Sequence, residues 1–599
     1  MQLLLCVLLT SDSLADSIRW TGSVNGNWDT TTANWTGDDT TFQNGDNVTF
    51  ADDPTTNQDI TVVRPVVAPG SITVAGASIE YTLGTGTVSV SGTLELSGTK
   101  GSLAGSGSLI LVKGGTLKFD DEYDHPKYYA GSSGEGRWGD GEPIHLNSGT
   151  IQLHCANWQR PQTTLSKEDV GTVNVDGGCT IHIVKGRGGG VFTAASVTRT
   201  NRGCLVTHQL DPLYSTVEKR ARVCIGDGPS MIASNMFLPW IAARIGYPYN
   251  SASFTTYDST LSPIGNGGAT TSEVGIVNVT YTGGNDISAH DGANTDHILK
   301  HTNSKATLNN DTRVRALAIN GENITISPGK TLTISSGGIT MNAANRTILG
   351  SGGRVSFGDA EGIVWATGGG SHKADAYIIE ADLLGSNGLT VCELTDMDLR
   401  LSGNNSSLSG PITLNYGTLM LKNANGLPNN QDLRIAGGTE LNLYDQDTLT
   451  VNNLTGRGTI RDTTPTASLT VKGTANPGDN GCGILTLSDV DLHFDPGSAM
   501  VVDAPGKMGY PGVDFDRVVC SGQVSGITNV VLTVNPPENE KPRPMKGTEY
   551  LVIQSGNDLT GQKFKRISYP SPWKVYGRGT TNGMLITFST IQGSVITVL

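Results

Sequence analysis

From Ile72 to Leu487 the chain is a succession of short runs in which Val, Ile or Leu alternates with Thr, Ser, Asn or Lys, most of them bounded by glycine turns. Ile72-Thr-Val74, Leu117-Lys-Phe119, Ile181-His-Ile183, Leu332-Thr-Ile334 and Leu469-Thr-Val471 are examples. A period of two places the apolar side chains on one face of a strand. Strands this short cannot stand alone, so each must stack on others like it. The turn Gly-Thr/Ser-Leu/Ile recurs at Gly92, Gly107, Gly115, Gly149, Gly417 and Gly458, at irregular intervals. That is a degenerate repeat of strand–turn units rather than a fixed-period array.

Size leads to the same place. A chain of 599 residues is too long for one compact core, and 78 Gly with only 16% charged residues leaves too few helix formers for an α/β enzyme. A stack has no such limit, because each rung buries its apolar face on its neighbours. The formal charge of −14 argues against a nucleic-acid partner, which would want a basic face. No internal segment is apolar and long enough to span a bilayer. The best, Met231 to Ile245, contains Pro239 and Arg244 and falls short of the ~20 residues required.

The clearest unit is Arg400 to Asn430, a polar loop, the strand Ile412-Thr-Leu414, a Tyr416-Gly417 turn and the strand Leu419-Met-Leu421. Leu401, Gly403, Asn405, Gly410, Ile412, Leu414, Gly417 and Leu419 resemble the autotransporter-associated β-strand repeat, from which Leu408 and Pro411 depart. A second resemblance, to the opening of secreted bacterial proteins carrying that repeat, lies in Trp20-x-Gly22, Trp28-Asp29 and Asn34-Trp35. The resemblance implies a passenger-like β-helix. No C-terminal barrel is expected, since the many amphipathic strands of one do not follow.

The expected fold is therefore all-β, a right-handed parallel β-helix (β-solenoid) with a Trp-rich N-terminal cap and a C-terminal β cap. Residues 1–15 read as a signal peptide lacking its positive n-region, which a start upstream of Met1 would supply. Residues 16–59 form the cap, 60–495 the solenoid with insertions near 120–143 and 200–260, and 496–599 a C-terminal β region. Within the unit at 400–430, Ile412, Leu414, Leu419 and Leu421 are expected inward, with Thr413 and Met420 outward or lining a turn. Cys155–Cys179 and Cys204–Cys224 lie about one rung apart and could meet.

Two stretches carry candidate chemistry. The acidic loop holds Asp120, Asp121, Asp124, Glu135, Trp138, Asp140 and Glu142. Asp120, Asp121, Asp124 and Trp138 are the candidate ligand-binding residues, with Ca²⁺ as the one cofactor the oxygens could take. Glu135, Asp140 and Glu142 could instead supply a two-carboxylate glycosidase site, and the bland alternative is a solvated loop. The second stretch offers His290, Asp296 and His297. No Glu follows His290 as a zinc-protease helix requires, and Asn294-Thr295-Asp296 matches only the start of the polygalacturonase signature. A polar turn is the favoured reading. Cysteine spacing gives no metal site. The expectation is a secreted or cell-surface protein that binds an extracellular polysaccharide or surface protein without catalysis. The alternative is a polysaccharide lyase or glycoside hydrolase on the same scaffold.

Overall fold

The computed structural model describes residues 16–590 apart from 52–58, 64–65, 76–80, 84–85, 91–92, 97–102, 105–107, 121–142, 156–164, 185–188, 210–220, 246–251, 259–274, 303–304, 343–346, 351, 369–375, 464–466, 479–480, 505–510, 513–514, 536–548 and 570–572. These residues form an all-β protein whose strands are arranged in two stacks of long, mainly parallel sheets.

In the first stack the chain visits a twelve-, a four- and a seven-stranded sheet in turn: Asn47–Ala51, Asp59–Val62, Val66–Val67. It then returns with Ser71–Ala75 parallel to Asn47–Ala51. From Thr116–Asp120 as far as Ile241–Ile245 its described strands alternate between the twelve- and seven-stranded sheets, apart from the small antiparallel pair Ile232–Ala233 and Met236–Phe237. The second stack begins with Ile298–His301, Ala306–Leu308 and Thr312–Val314, and Ala316–Ile319 then lies parallel to Ile298–His301. Its sheets have fifteen, thirteen and four strands. Ile412, Leu433, Leu454 and Ala475 occupy successive rungs in register, at intervals of 21 residues. Ala499–Asp503, Val531–Asn535 and Arg566–Ser568 continue the fifteen-stranded sheet beyond residue 495.

Like residues stack on like. Leu399, Leu419, Leu441 and Ile460 follow one another in register and are all fully buried. Each such side chain contributes about 1.5–3 kcal/mol of burial. Polar turns are satisfied internally. The Asn405 side chain accepts from the Leu383 amide at 2.8 Å and donates to the Gly426 carbonyl at 2.8 Å. It thus ties three successive rungs, as buried backbone groups at a corner require.

At one end Trp20, Trp28, Trp35, Phe42 and Phe50 pack ring against ring, with centroids 5.0 to 6.0 Å apart for seven of their pairs. All five are buried, and Ser17–Trp20 and Trp35–Gly37 close that edge of the twelve-stranded sheet. At the far end of the thirteen-stranded sheet, Glu549–Ser555, Gly583–Thr590 and Trp573–Thr580 pair antiparallel.

Between the stacks the chain reverses. Ile241–Ile245, Ser253–Asp258 and Gly275–Asn278 pair antiparallel at the last edge of the first stack. The second stack then runs back alongside the first. Reading down the first stack, Asn147, Asp176, Arg202 and Ala233 meet Arg457, Arg434, Asn387 and Arg315 in that order. The stacks are therefore antiparallel neighbours in contact along their sides. Gly178 shows how close they come: a Cβ there would lie 2.1 Å from the Asn415 carbonyl oxygen and 2.8 Å from the Tyr416 ring.

The contact corrects one sequence expectation. Ile412, Leu414, Leu419 and Leu421 are buried as expected, but so are Thr413 and Met420. In the strand Ile412–Tyr416 the alternate residues turn away from their own core, and Asn415 there donates to the Arg202 carbonyl of the first stack at 2.7 Å. A face that is outward in one stack is inward in the pair.

Candidate functional site

The sequence candidates divide in two. Asp121, Asp124, Glu135, Trp138, Asp140 and Glu142 lie outside the described residues, as does the Ca²⁺ reading that rests on them. Asp120 closes the strand Thr116–Asp120, in register with His154. His290 and His297 are brought together, their imidazoles edge to face at 5.4 Å. His290 Nε2 lies 2.6 Å from the Gly283 carbonyl oxygen, and His297 Nδ1 3.2 Å from Thr282 Oγ1. Asp296 is exposed and paired with Arg313 at 3.2 Å, and Arg313 also donates to Asn294 Oδ1 at 3.1 Å. Among the described residues no group of three or more His, Cys, Asp or Glu is placed to hold a metal ion.

A different set of residues stands out on the outer face of the twelve-stranded sheet. Lys118, Gln152, His182, His208 and Arg244 occupy one register position on five successive strands. All five are half-buried, and the ladder continues the alternation that buries Leu117, Ile151, Ile181 and Leu205 on the inner face. Strand spacing sets the rungs of the ladder ~4.8 Å apart. The His182 and His208 rings meet edge to face at 5.1 Å, and His154 Nε2 lies 3.1 Å from Gln152 Oε1. Burial lowers the His182 imidazole, with His154 adding to the effect. Burial, then Arg244 and His182, push His208 down to about 3. Both rings are neutral at pH 7 and offer one donor and one acceptor each.

The other wall belongs to the second stack. Arg244 Nη2 donates to the carbonyls of Thr367 at 3.3 Å and Leu394 at 3.2 Å. Glu393, nearby and buried, accepts from the amide and the hydroxyl of Thr395 at 2.5 Å each. Burial pushes its carboxyl up to about 8 despite those bonds. Tyr377, fully buried, donates to the Gly368 carbonyl and is raised by burial.

All seven cysteines from Cys155 to Cys520 are free thiols, and the partner that Cys204 meets is Cys392 of the second stack. The ladder escaped the sequence reading because its members lie on rungs of unequal length. The available signal was the polar His182 at the outward position of Ile181-His-Ile183.

No protein-family model matches the chain, and no curated protein matches it. The fold and the ladder define it as an all-β protein of stacked parallel strands with a polar strip on the outer face of its twelve-stranded sheet.

Proposed function

We propose that the chain is a pair of right-handed parallel β-helices folded back on each other, a secreted or cell-surface protein that holds an extended glycan along the Lys118–Arg244 ladder without altering it. The handedness follows from the strong preference of parallel crossovers. The Trp20–Phe50 cluster and the antiparallel strands Glu549–Thr590 serve as caps over the apolar ends of the stacks. The proposal keeps the resemblance to autotransporter-associated repeat proteins. Asn405, one of the residues that carries it, spans three rungs in the way a repeating corner needs.

One observation carries the functional reading: the neutral hydrogen-bonding side chains Gln152, His182 and His208 repeat in register at a fixed spacing on one face. A polymer with a regular repeat of hydroxyls can meet such a strip repeatedly, each contact adding little and the row adding much. A second reading, a polysaccharide lyase, draws on His182, whose neutral imidazole could take up a proton.

The test is retention of the protein by a panel of immobilised polysaccharides, with depolymerisation scored in the same samples. Replacing Gln152 and His182 together by Ala should weaken retention about tenfold, or about 1.4 kcal/mol, with the melting curve unchanged. Undiminished retention in a folded double variant removes the ladder from the proposal. Depolymerisation lost in the same variant replaces binder by lyase.

A further inference from the structure

We infer that Cys204 and Cys392, free thiols in the structure, close on oxidation into a disulfide that joins the stacks covalently. Cys204 opens the strand Cys204–Gln209 of the first stack, and Cys392 lies in Leu389–Glu393 of the second. Both are fully buried, and both belong to one apolar cluster with Leu205, Ile363 and Trp365. The neighbours fix the approach. Cys204 pairs in register with Gly178, a Cβ on which would touch the Tyr416 ring, and Tyr416 pairs in register with Cys392. Those pairings set Cys204 and Cys392 against each other across the junction, close enough for each thiol to shift the other.

The surroundings assign the two sulfurs different roles. Arg199 donates to the Gly203 carbonyl at 2.7 Å and pairs with Glu361 at 2.7 Å, which holds its guanidinium beside Cys204. Burial works to raise the Cys204 thiol, but the hydrogen bond from Cys392 and the Arg199 charge outweigh it, and the thiol lies below its ordinary value. Cys392 is raised well above its own, by burial first and then by Cys204. Arg199, held on the Gly203 carbonyl of its own stack, is beside Cys204 before the stacks close and makes Cys204 the attacking thiolate and Cys392 the resolving thiol.

The oxidant is a low-molecular-weight disulfide such as oxidised glutathione, met while the stacks are still coming together. Cys204 sulfur attacks one glutathione sulfur, the glutathione S–S bond breaks, and one glutathione leaves as a thiol with the Cys204 proton. Cys392 sulfur then attacks Cys204 sulfur in the mixed disulfide, and the second glutathione leaves with the Cys392 proton. Two protein thiols are oxidised and one small disulfide is reduced to two thiols. The product ties the reversal between the stacks into one covalent loop, which restricts the unfolded chain most when the loop is long.

The experiment uses the full chain, refolded in a glutathione redox buffer, alkylated and mapped by mass spectrometry without reduction. The expected result is a peptide pair joined through Cys204 and Cys392, lighter than the reduced pair by two hydrogens. Free alkylation of both residues after unfolding, or Cys204 joined to another cysteine such as Cys179, overturns the inference. Reductant should also lower the melting temperature of the oxidised wild type by a few degrees and leave Cys392→Ala unmoved. An equal fall in both overturns it too. If Cys392→Ala does not fold, the peptide map of the unaltered chain decides.

Discussion

Arg434 and Asp176 stand 258 residues apart in sequence, yet Nη2 of one lies 2.5 Å from Oδ1 of the other, between the two stacks. Both side chains are almost wholly withdrawn from solvent, at 10% and 6% exposure. Asn201 also donates to Asp176, at 3.0 Å, so the carboxylate keeps a second partner. A charge pair in that position does more for the register of one stack on the other than for raw stability.

Arg434→Met should destabilise the protein by about 3–5 kcal/mol, because it strands a buried carboxylate. Adding Asp176→Leu should restore most of that loss, since two apolar groups need no partner. Urea denaturation of the single and double variants measures both. Equal losses in the two would show that the pair itself supplies the stability.

Gly178→Val should push the stacks apart where they come closest, at the Asn415 carbonyl. Overpacking of this kind costs about 1–3 kcal/mol. Hydrogen exchange should quicken along the facing strands Gly178–Val184 and Ile412–Tyr416 and stay slow in the inner rows of both cores. Uniform quickening throughout would mean that the stacks unfold together rather than separate.

Leu414→Ala removes a buried side chain from the second core and should cost about 2–5 kcal/mol. Trp28→Ala at the aromatic cluster should cost about 3–5 kcal/mol. The sequence made both positions legible, because alternation and composition are local properties. It did not show that Thr413 is covered, since that depends on a second stack whose approach no period of two encodes. The same holds for Lys118, Gln152, His182, His208 and Arg244. Their alignment depends on how many residues each rung takes, and Leu117–Ile151, Ile151–Ile181 and Leu205–Ile241 are all different steps.

Acid and alkali should act on different residues. His208 stays neutral in the fold down to about 3, whereas an unfolded histidine titrates near ~6.5. The unfolded chain thus binds more protons in that window, and stability falls as the pH drops through it. Glu393 keeps its proton in the fold up to about 8, against 4.5 for the free side chain. The folded chain binds more protons there, and stability falls as the pH rises from 4.5 to 8. The two slopes oppose each other between about 4.5 and 6.5, where these groups predict a plateau. His208→Gln should flatten the acid limb and Glu393→Gln the alkaline limb in urea melts taken across pH. Limbs that persist unchanged in both variants would assign the pH response to other groups.

Because the stacks run in opposite directions, the strands Ser17–Trp20 and Arg566–Ser568 both lie away from the reversal, toward the same end of the pair. A tensile force applied through those two strands would then not be shared along the whole side contact. It would fall on the outermost cross-stack bond first, near Arg457 and Asn147, and pass inward to Arg434, Tyr416 and Arg199 only as each bond gave way. Such a molecule opens like a zipper under low, steady load. The covalent join inferred at Cys204 and Cys392 would be the point at which the peeling stops.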